Sequence, residues 1–268
     1  MPYRDIPNSN AGILKAFDAA HTKRTNTKPA DHLISGEQYT NYLDLTPPPE
    51  GQPGSTYFRF KKETGESAGA LAAQTPLTTA LDTTRGLLRL GISHFIQTFN
   101  NAITRGKLPR ETRTLFQLPL ESDRVPDLFT DADLLLWAQR IADGEKARTD
   151  AGGTPIAWPS AAEVTALRDQ FRTQAAAQST AKDATDREQG DVERLQPEAL
   201  AAIKDMWDTV EFNLRHEPTN AGRRRRARQW GVIYATRPGE TPDPEEPPPA
   251  GNPNTPPTGG NPPASQPK

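Results

Sequence analysis

Four histidines, His21, His32, His94 and His216, are the residues of this sequence best suited to metal binding or acid–base chemistry. None of them has the His-x-x-x-His or His-Glu-x-x-His spacing that places two ligands on one helix face. The chain also contains no cysteine, which excludes thiolate catalysis and cysteine-bound metals. We therefore predict no metal site and no cofactor, and only a site assembled by folding stays open.

One neighbouring pair has the residue types of a nucleophile and its base, Ser93 beside His94 in the segment GISHF. Adjacent residues on a helix point about 100° apart, so the two side chains cannot pair as they stand. No strand–turn–helix elbow surrounds the serine. We expect His94 to be a partly buried histidine whose ring nitrogens bind helix neighbours.

The segment DAGGTPIAWPS, followed by AAE, combines a paired-glycine loop with a helix start. Ser160 and Glu163 have the spacing of a capping box. A helix start of this kind can receive an anion, and an enzyme acting at the 150–160 loop stays an alternative. The phosphate-loop and dinucleotide motifs are missing, however, so chain turning at Gly152 and Gly153 is the favoured interpretation.

A glutamate and an arginine three positions apart, Glu145 and Arg148, precede this loop. Such pairs normally lie on the surface of a helix. The alternative is that they brace Trp158 and the loop at 150–159. A two-metal carboxylate centre in a bundle needs Glu-x-x-His motifs, which the sequence lacks.

Five arginines crowd into six positions near the C-terminal end, at Arg223, Arg224, Arg225, Arg226 and Arg228. On a helix they spread around the whole cylinder, so two or three could face one phosphate backbone. The favoured interpretation is that they pair with carboxylates at 205, 208, 211 and 217, while Trp230, Gly231 and Tyr234 dock as a short extended segment. Nucleic-acid binding through 223–228 stays the less favoured alternative.

Apolar residues recur with helical period along most of the chain, which predicts a mainly all-α fold. We expect an antiparallel bundle of long helices, with a short extended segment near 230–236. One helix is predicted over 9–25, one from a Thr75 cap with Pro76 in its first turn to Gly106, and one from Thr130. Another is predicted from Ser160 to about Leu195, with Pro197 opening the next. The segment YFRFKK is either a short strand or an anchoring segment.

Composition divides the chain into three predicted segments. Residues 1–74 form an irregular, partly helical segment packed on the bundle, and 75–237 form the bundle itself. Residues 238–268 hold 12 of the 27 prolines and are expected to be disordered. The formal charge of −2 creates no global attraction to nucleic acid or anionic lipid. The N-terminus shows no secretory signal and no run could span a bilayer, so we expect a cytoplasmic protein.

The segments LLLWAQRIADGEKARTDAGGTPIAWPSAAEV, IKDMWDTVEF and RRRARQWGVIYATRPGE together resemble a group of uncharacterised bacterial proteins. The resemblance covers about 75–237. It lies in a Gly-Glu-x-x-Arg helix, a Gly-Gly loop, a Pro-Ser helix start and a closing Arg-x-Trp-Gly-Val-aliphatic-Tyr. The matching positions are Gly144, Glu145, Arg148, Gly152, Gly153, Pro159, Ser160, Arg228, Trp230, Gly231, Val232, Ile233 and Tyr234. The resemblance supports docking of the closing segment and implies no activity.

The sequence therefore favours a non-catalytic structural or protein-interaction module with an unknown protein partner. Nucleic-acid binding and an enzyme of unknown reaction are the two alternatives. Oligomeric state is left open.

Overall fold

The computed structural model of this chain describes residues 3–236. Helices make up most of this range, and its strands are β1 (Tyr3–Arg4) and β2 (Tyr234–Ala235). The predicted mainly all-α class is confirmed, and so is a short extended segment near 230–236. The Pro-rich tail that was predicted to be disordered, 238–268, lies outside the described residues.

Six α-helices follow in chain order across the described residues: α1 (Asn10–Thr25), α2 (Gly36–Gln38), α3 (Thr56–Thr104), α4 (Asp131–Asp150), α5 (Ala161–Asn213) and α6 (Asn220–Arg228). A π-helical turn, Tyr39–Leu43, continues α2, and 3-10 turns cover Pro29–Asp31 and Arg110–Phe116. In residues 3–236, no helix combines the length and the apolar character that a membrane span requires.

Two of the predicted helix starts have the side-chain caps that their sequences indicate. Thr130 Oγ1 accepts from Asp133 N at 3.1 Å, while Asp133 Oδ2 accepts from Thr130 N at 3.0 Å. Ser160 and Glu163 form the same reciprocal arrangement, at 3.2 and 2.7 Å. These capping boxes begin α4 and α5, because each satisfies two backbone groups at the helix start.

The predicted helix start at Thr75 and Pro76 is wrong, because α3 begins at Thr56 and passes through Pro76. Ser55 supplies the cap instead: its Oγ accepts from Phe58 N at 3.1 Å. Thr75 acts as an interior residue, and its hydroxyl donates to Leu71 O at 2.9 Å. A proline inside a helix removes one backbone hydrogen bond, and the rest of this long helix outweighs that loss.

The segment YFRFKK forms the first turns of α3 and not a strand. Tyr57 and Phe60, three positions apart, fall on one helix face and are both buried. The predicted new helix at Pro197 is also wrong, since α5 continues through that proline to Asn213.

The described chain forms two compact units. Residues 3–61 together with 195–236 form one, called here the terminal unit, and residues 62–194 form the other, the central unit. The boundaries at 61/62 and 194/195 fall inside α3 and α5, and the segment boundary predicted at 74/75 also lies inside α3.

The terminal unit encloses its own aromatic core. Phe17 from α1 stacks on Tyr57 from α3 with ring centroids 5.3 Å apart, and Trp207 from α5 is fully buried. The strands β1 and β2 pair antiparallel, with Tyr3 opposite Ala235 and Arg4 opposite Tyr234. The closing segment therefore pairs with the N-terminal strand, a partner that its own sequence does not indicate.

The central unit encloses a separate core. Phe116, from the 3-10 turn, lies 4.7 Å from Phe99 and 5.7 Å from Phe95, measured between ring centroids. Leu134, Ala138 and Ile141 from α4 are buried in the same cluster. Their three- and four-residue spacing continues along α4 to Glu145 and Arg148, which places this charged pair on the buried face.

Candidate interaction site

The charged pair at the end of α4 is buried, which corrects the expectation of a surface pair. Glu145 is 6% exposed and Arg148 is 5% exposed. Arg148 Nε donates to Glu145 Oε2 at 2.9 Å, and Arg148 Nη2 donates to Oε1 at 2.8 Å. This bidentate geometry satisfies both charges, as buried ions require.

The same two side chains also hold the loop that follows them. Arg148 Nη2 donates to Thr154 O at 2.6 Å, and Ile156 N donates to Glu145 Oε1 at 2.7 Å. The ion pair therefore binds the loop backbone from inside the unit. The alternative prediction, that Glu145 and Arg148 brace Trp158 and the 150–159 loop, matches this geometry for the loop backbone at Thr154 and Ile156.

Both glycines of the loop meet a local requirement of the turn. Gly152 has φ +88°, a left-handed conformation that glycine adopts at little cost. At Gly153 a side-chain carbon would lie 2.8 Å from Arg148 O and 2.9 Å from Arg148 Nη1. The paired glycines thus allow the chain to turn directly over the arginine.

Trp158 lies in the outward part of this braced loop. Ile156 is anchored by Glu145 and packs on the core of the central unit, and Ser160 is fixed by its capping box. Between these anchors the indole of Trp158 is 76% exposed. The exposed loop residues Thr154, Pro155, Ala157 and Trp158 carry no charge. The structure thus presents an uncharged surface with one large aromatic side chain.

The arginine run forms α6, with Thr219 as its N-cap. Arg226 pairs with Glu217, one of the four predicted carboxylates, and Arg223 Nη2 donates to Asn220 Oδ1 at 3.0 Å. Arg228 lies over the Tyr234 ring, with its Cζ 5.4 Å from the centroid. Burial lowers the pKa of the Arg228 guanidinium, and neighbouring Arg224 lowers it further. Arg224 and Arg225 also have interactions within the protein.

Each of the other three predicted carboxylates binds a residue outside the arginine run. Asp208 pairs with Arg4 at 2.5 Å, and Asp205 Oδ2 accepts from Gln38 Nε2 at 2.8 Å. Glu211 accepts a hydrogen bond from the Tyr234 hydroxyl. These contacts join α5 to α2 and to both strands of the terminal unit, so the carboxylates of α5 serve the fold more widely than the sequence predicts.

The closing segment docks as predicted. Trp230 and Val232 are each 2% exposed. Gly231 has φ +85°, and a side-chain carbon there would lie 2.4 Å from Ala16 O of α1. Burial raises the pKa of the Tyr234 hydroxyl, and its hydrogen bond to Glu211 raises it further. The segment packs on the terminal unit through a contact that only glycine permits.

The histidines and Ser93 show no catalytic pairing in the described residues. His94 is exposed, which corrects the expectation of a partly buried ring. Ser93 Oγ accepts from Gln97 Nε2 at 3.0 Å. His21 Nδ1 lies 3.0 Å from Leu43 O, and His32 Nε2 lies 2.8 Å from Thr27 O. Each of these two rings is therefore within hydrogen-bonding distance of a backbone carbonyl.

Three carboxylates that sequence spacing did not indicate meet in the central unit. One carboxylate oxygen from each of three glutamates lies within 4.8 Å of the other two: Glu63 and Glu66 on α3, and Glu188 on α5. Lys62 supplies a counter-charge, with its Nζ 2.8 Å from Glu66 and 3.3 Å from Glu63. Local sequence spacing does not reveal this cluster, because Glu188 is distant in sequence from Glu63 and Glu66.

No protein-family model, curated protein or solved structure matches this chain. A functional proposal therefore depends on the geometry of these residues.

Proposed function

We propose that this protein is a non-catalytic protein-interaction module whose partner binds the loop containing Trp158. The observation that carries the proposal is the 76% exposure of Trp158 on a loop held by the buried Glu145–Arg148 pair. Tryptophan is enriched among the residues that dominate binding energy at protein interfaces. A loop fixed before binding loses little conformational entropy when the partner docks.

The surroundings of Trp158 indicate the chemistry of the partner. Because the exposed residues that precede Trp158, namely Thr154, Pro155 and Ala157, are uncharged, a complementary surface is an apolar groove that accepts the indole. Such binding depends weakly on ionic strength. Glu145 and Arg148 bind each other, and Arg148 also binds the backbone of the loop that follows. These contacts favour a supporting role for the pair over a catalytic one.

Affinity capture of the tagged full-length protein from its native lysate, with and without nuclease, tests the proposal. We expect Trp158→Ala to lose a protein partner that wild type retains after nuclease treatment. Phe129→Ala is the matched control, because Phe129 is 80% exposed in the same unit but outside the braced loop. Retention of every partner by Trp158→Ala would contradict the proposal.

The same experiment separates the nucleic-acid alternative. Partners held through nucleic acid would disappear with nuclease and with rising salt. They would also disappear in a variant carrying Arg223→Ala and Arg226→Ala. If this pattern is seen and Trp158→Ala behaves as wild type, the functional surface is α6 and not the loop containing Trp158.

A further inference from the structure

A second irregular segment of the central unit, residues 117–130, is held in place by a fully buried arginine. Arg113 is 0% exposed. Its Nε donates to Pro119 O at 2.6 Å, and its Nη2 donates to Ser122 O. Its Nη1 donates to Asn100 Oδ1 and lies 3.3 Å from Asp123 Oδ1. One guanidinium thus fixes the segment at several points.

Other side chains hold the same segment from α3 and from the 3-10 turn. Asn100 Nδ2 donates to Asp123 O at 2.7 Å, and Arg89 Nε donates to Leu128 O at 3.0 Å. Arg110 donates to Leu120 O and pairs with Asp123 at 3.1 Å. A segment with this many charge-assisted anchors has a defined backbone without regular secondary structure.

This segment and α4 line an open cavity of about 310 Å³. That volume is at the lower end of the range for small-molecule sites, about 300–1,000 Å³. The lining combines apolar and polar side chains: Gln117, Pro119, Ser122, Arg124, Val125, Pro126, Asp127, Trp137 and Arg140. Gln117, at one side, has a left-handed backbone with φ 56°.

Arg140 is the charged side chain of the lining that has no ion-pair partner within residues 3–236. Its Cζ lies 4.5 Å from the centroid of the Trp137 ring. Its Nε is shielded from solvent and has no acceptor within residues 3–236. By contrast, the other lining arginine, Arg124, pairs with the lining Asp127 at 3.2 Å. Two guanidiniums and one carboxylate leave one uncompensated positive charge, on Arg140.

We propose that this cavity binds a small molecule in which one carboxylate is attached to a flat apolar group. The two terminal nitrogens of a guanidinium form a fork that matches a carboxylate in shape, and one carboxylate neutralises the single excess charge. Pro119, Val125 and Pro126 give the apolar group its surface. This site is independent of the Trp158 loop and adds a ligand to the proposed module.

The test uses benzoate as the probe with full-length protein, observed through the indole N–H resonance of Trp137, which is identified by its loss in Trp137→Phe. We expect benzoate to shift this resonance with a Kd on the order of 1 mM. Benzamide, its neutral counterpart, should bind at least about tenfold more weakly. Phenyl phosphate, which carries more charge, should not bind more tightly than benzoate.

Variants of the arginine decide the assignment. Arg140→Gln should weaken benzoate binding at least about tenfold, and Arg140→Lys should restore part of the loss because it keeps the charge. Arg172→Gln removes an exposed arginine of the same unit outside the cavity and should leave binding unchanged. Absence of a benzoate-dependent shift would overturn the proposal. Equal binding of benzamide, tighter binding of phenyl phosphate, or unchanged binding by folded Arg140→Gln would also overturn it.

Discussion

Glu145 Oε1 accepts a hydrogen bond from the backbone N–H of Ile156, 2.7 Å away and eleven positions later in the chain. A buried carboxylate of α4 therefore sets the path of the loop that leads to α5. The carboxylate itself is held by Arg148, which donates to the same loop at Thr154 O. The orientation of Trp158 thus depends on side chains that lie inside the unit.

Removal of one member of this buried pair should be costly. We expect Glu145→Ala to lower the free energy of unfolding of the central unit by about 3–5 kcal/mol, because the Arg148 charge stays buried without a partner. Urea denaturation followed by circular dichroism measures this loss. The double variant Glu145→Met, Arg148→Met should lose less, since no charge is then stranded.

The same helix offers a matched control for this comparison. Lys146 and Asp150 form an exposed ion pair, with side chains 74% and 63% exposed. Lys146→Ala should change the free energy of unfolding by less than about 1 kcal/mol. Equal effects of Glu145→Ala and Lys146→Ala would show that the buried pair does not support the loop.

Close packing at Gly231 makes a second prediction, in the terminal unit. A side-chain carbon there would lie 2.4 Å from Ala16 O, at a φ of +85°. We expect Gly231→Ala to destabilise this unit by about 2–3 kcal/mol. Gly36→Ala is the control, because no atom lies within 4 Å of a side-chain carbon at that position. A Gly231→Ala protein as stable as Gly36→Ala would be inconsistent with the docked closing segment.

Alkaline pH should weaken the terminal unit through Tyr57. Burial raises the pKa of this hydroxyl from 10.0 to about 12, and Asp18, which accepts its hydrogen bond at 3.1 Å, contributes to the increase. The folded state therefore retains a proton that the unfolded state releases above pH 10. The stabilisation that the protonated Tyr57 hydroxyl contributes is fully present below pH 10 and is lost as the pH rises towards about 12.

Unfolding measured from about pH 9 upwards tests this pH dependence. At about pH 9, Tyr57→Phe should lower the free energy of unfolding by about 1 kcal/mol, because the hydrogen bond to Asp18 is lost. The stability gap between Tyr57→Phe and wild type should then narrow as the pH rises. Tyr3→Phe, in which an exposed tyrosine is changed, should follow wild type throughout. A gap that is constant with pH would contradict the assignment.

Local sequence signals predicted those features that depend on neighbouring residues. The capping boxes at Thr130 and Ser160 satisfy backbone groups within four residues, so their spacing alone reveals them. Pro76 led to a wrong helix start because a proline suits a first turn, whereas here the long helix continues through it. The segment YFRFKK after Ser55 is also compatible with a short strand, so the sequence does not single out Ser55 as the cap.

The features that the sequence did not reveal are built from distant residues. Arg140 and Trp137 are neighbours on α4, but the cavity that they line is formed with Gln117 and Val125 from an irregular segment. The buried position of Arg148 depends on a loop that closes over it. Such arrangements follow from tertiary packing, for which charge and hydropathy patterns along the chain give no direct signal.

Site-specific photo-crosslinking from position 158 tests the central claim most directly. Trp158 is replaced by a photoreactive phenylalanine analogue, and Phe129 is replaced in the same way as the control, in full-length protein exposed to native lysate. We predict a discrete protein crosslink from position 158 that persists after nuclease treatment, is absent from position 129 and is reduced by Glu145→Ala. An absence of crosslinks at 158, or the same products from both positions, would contradict the account.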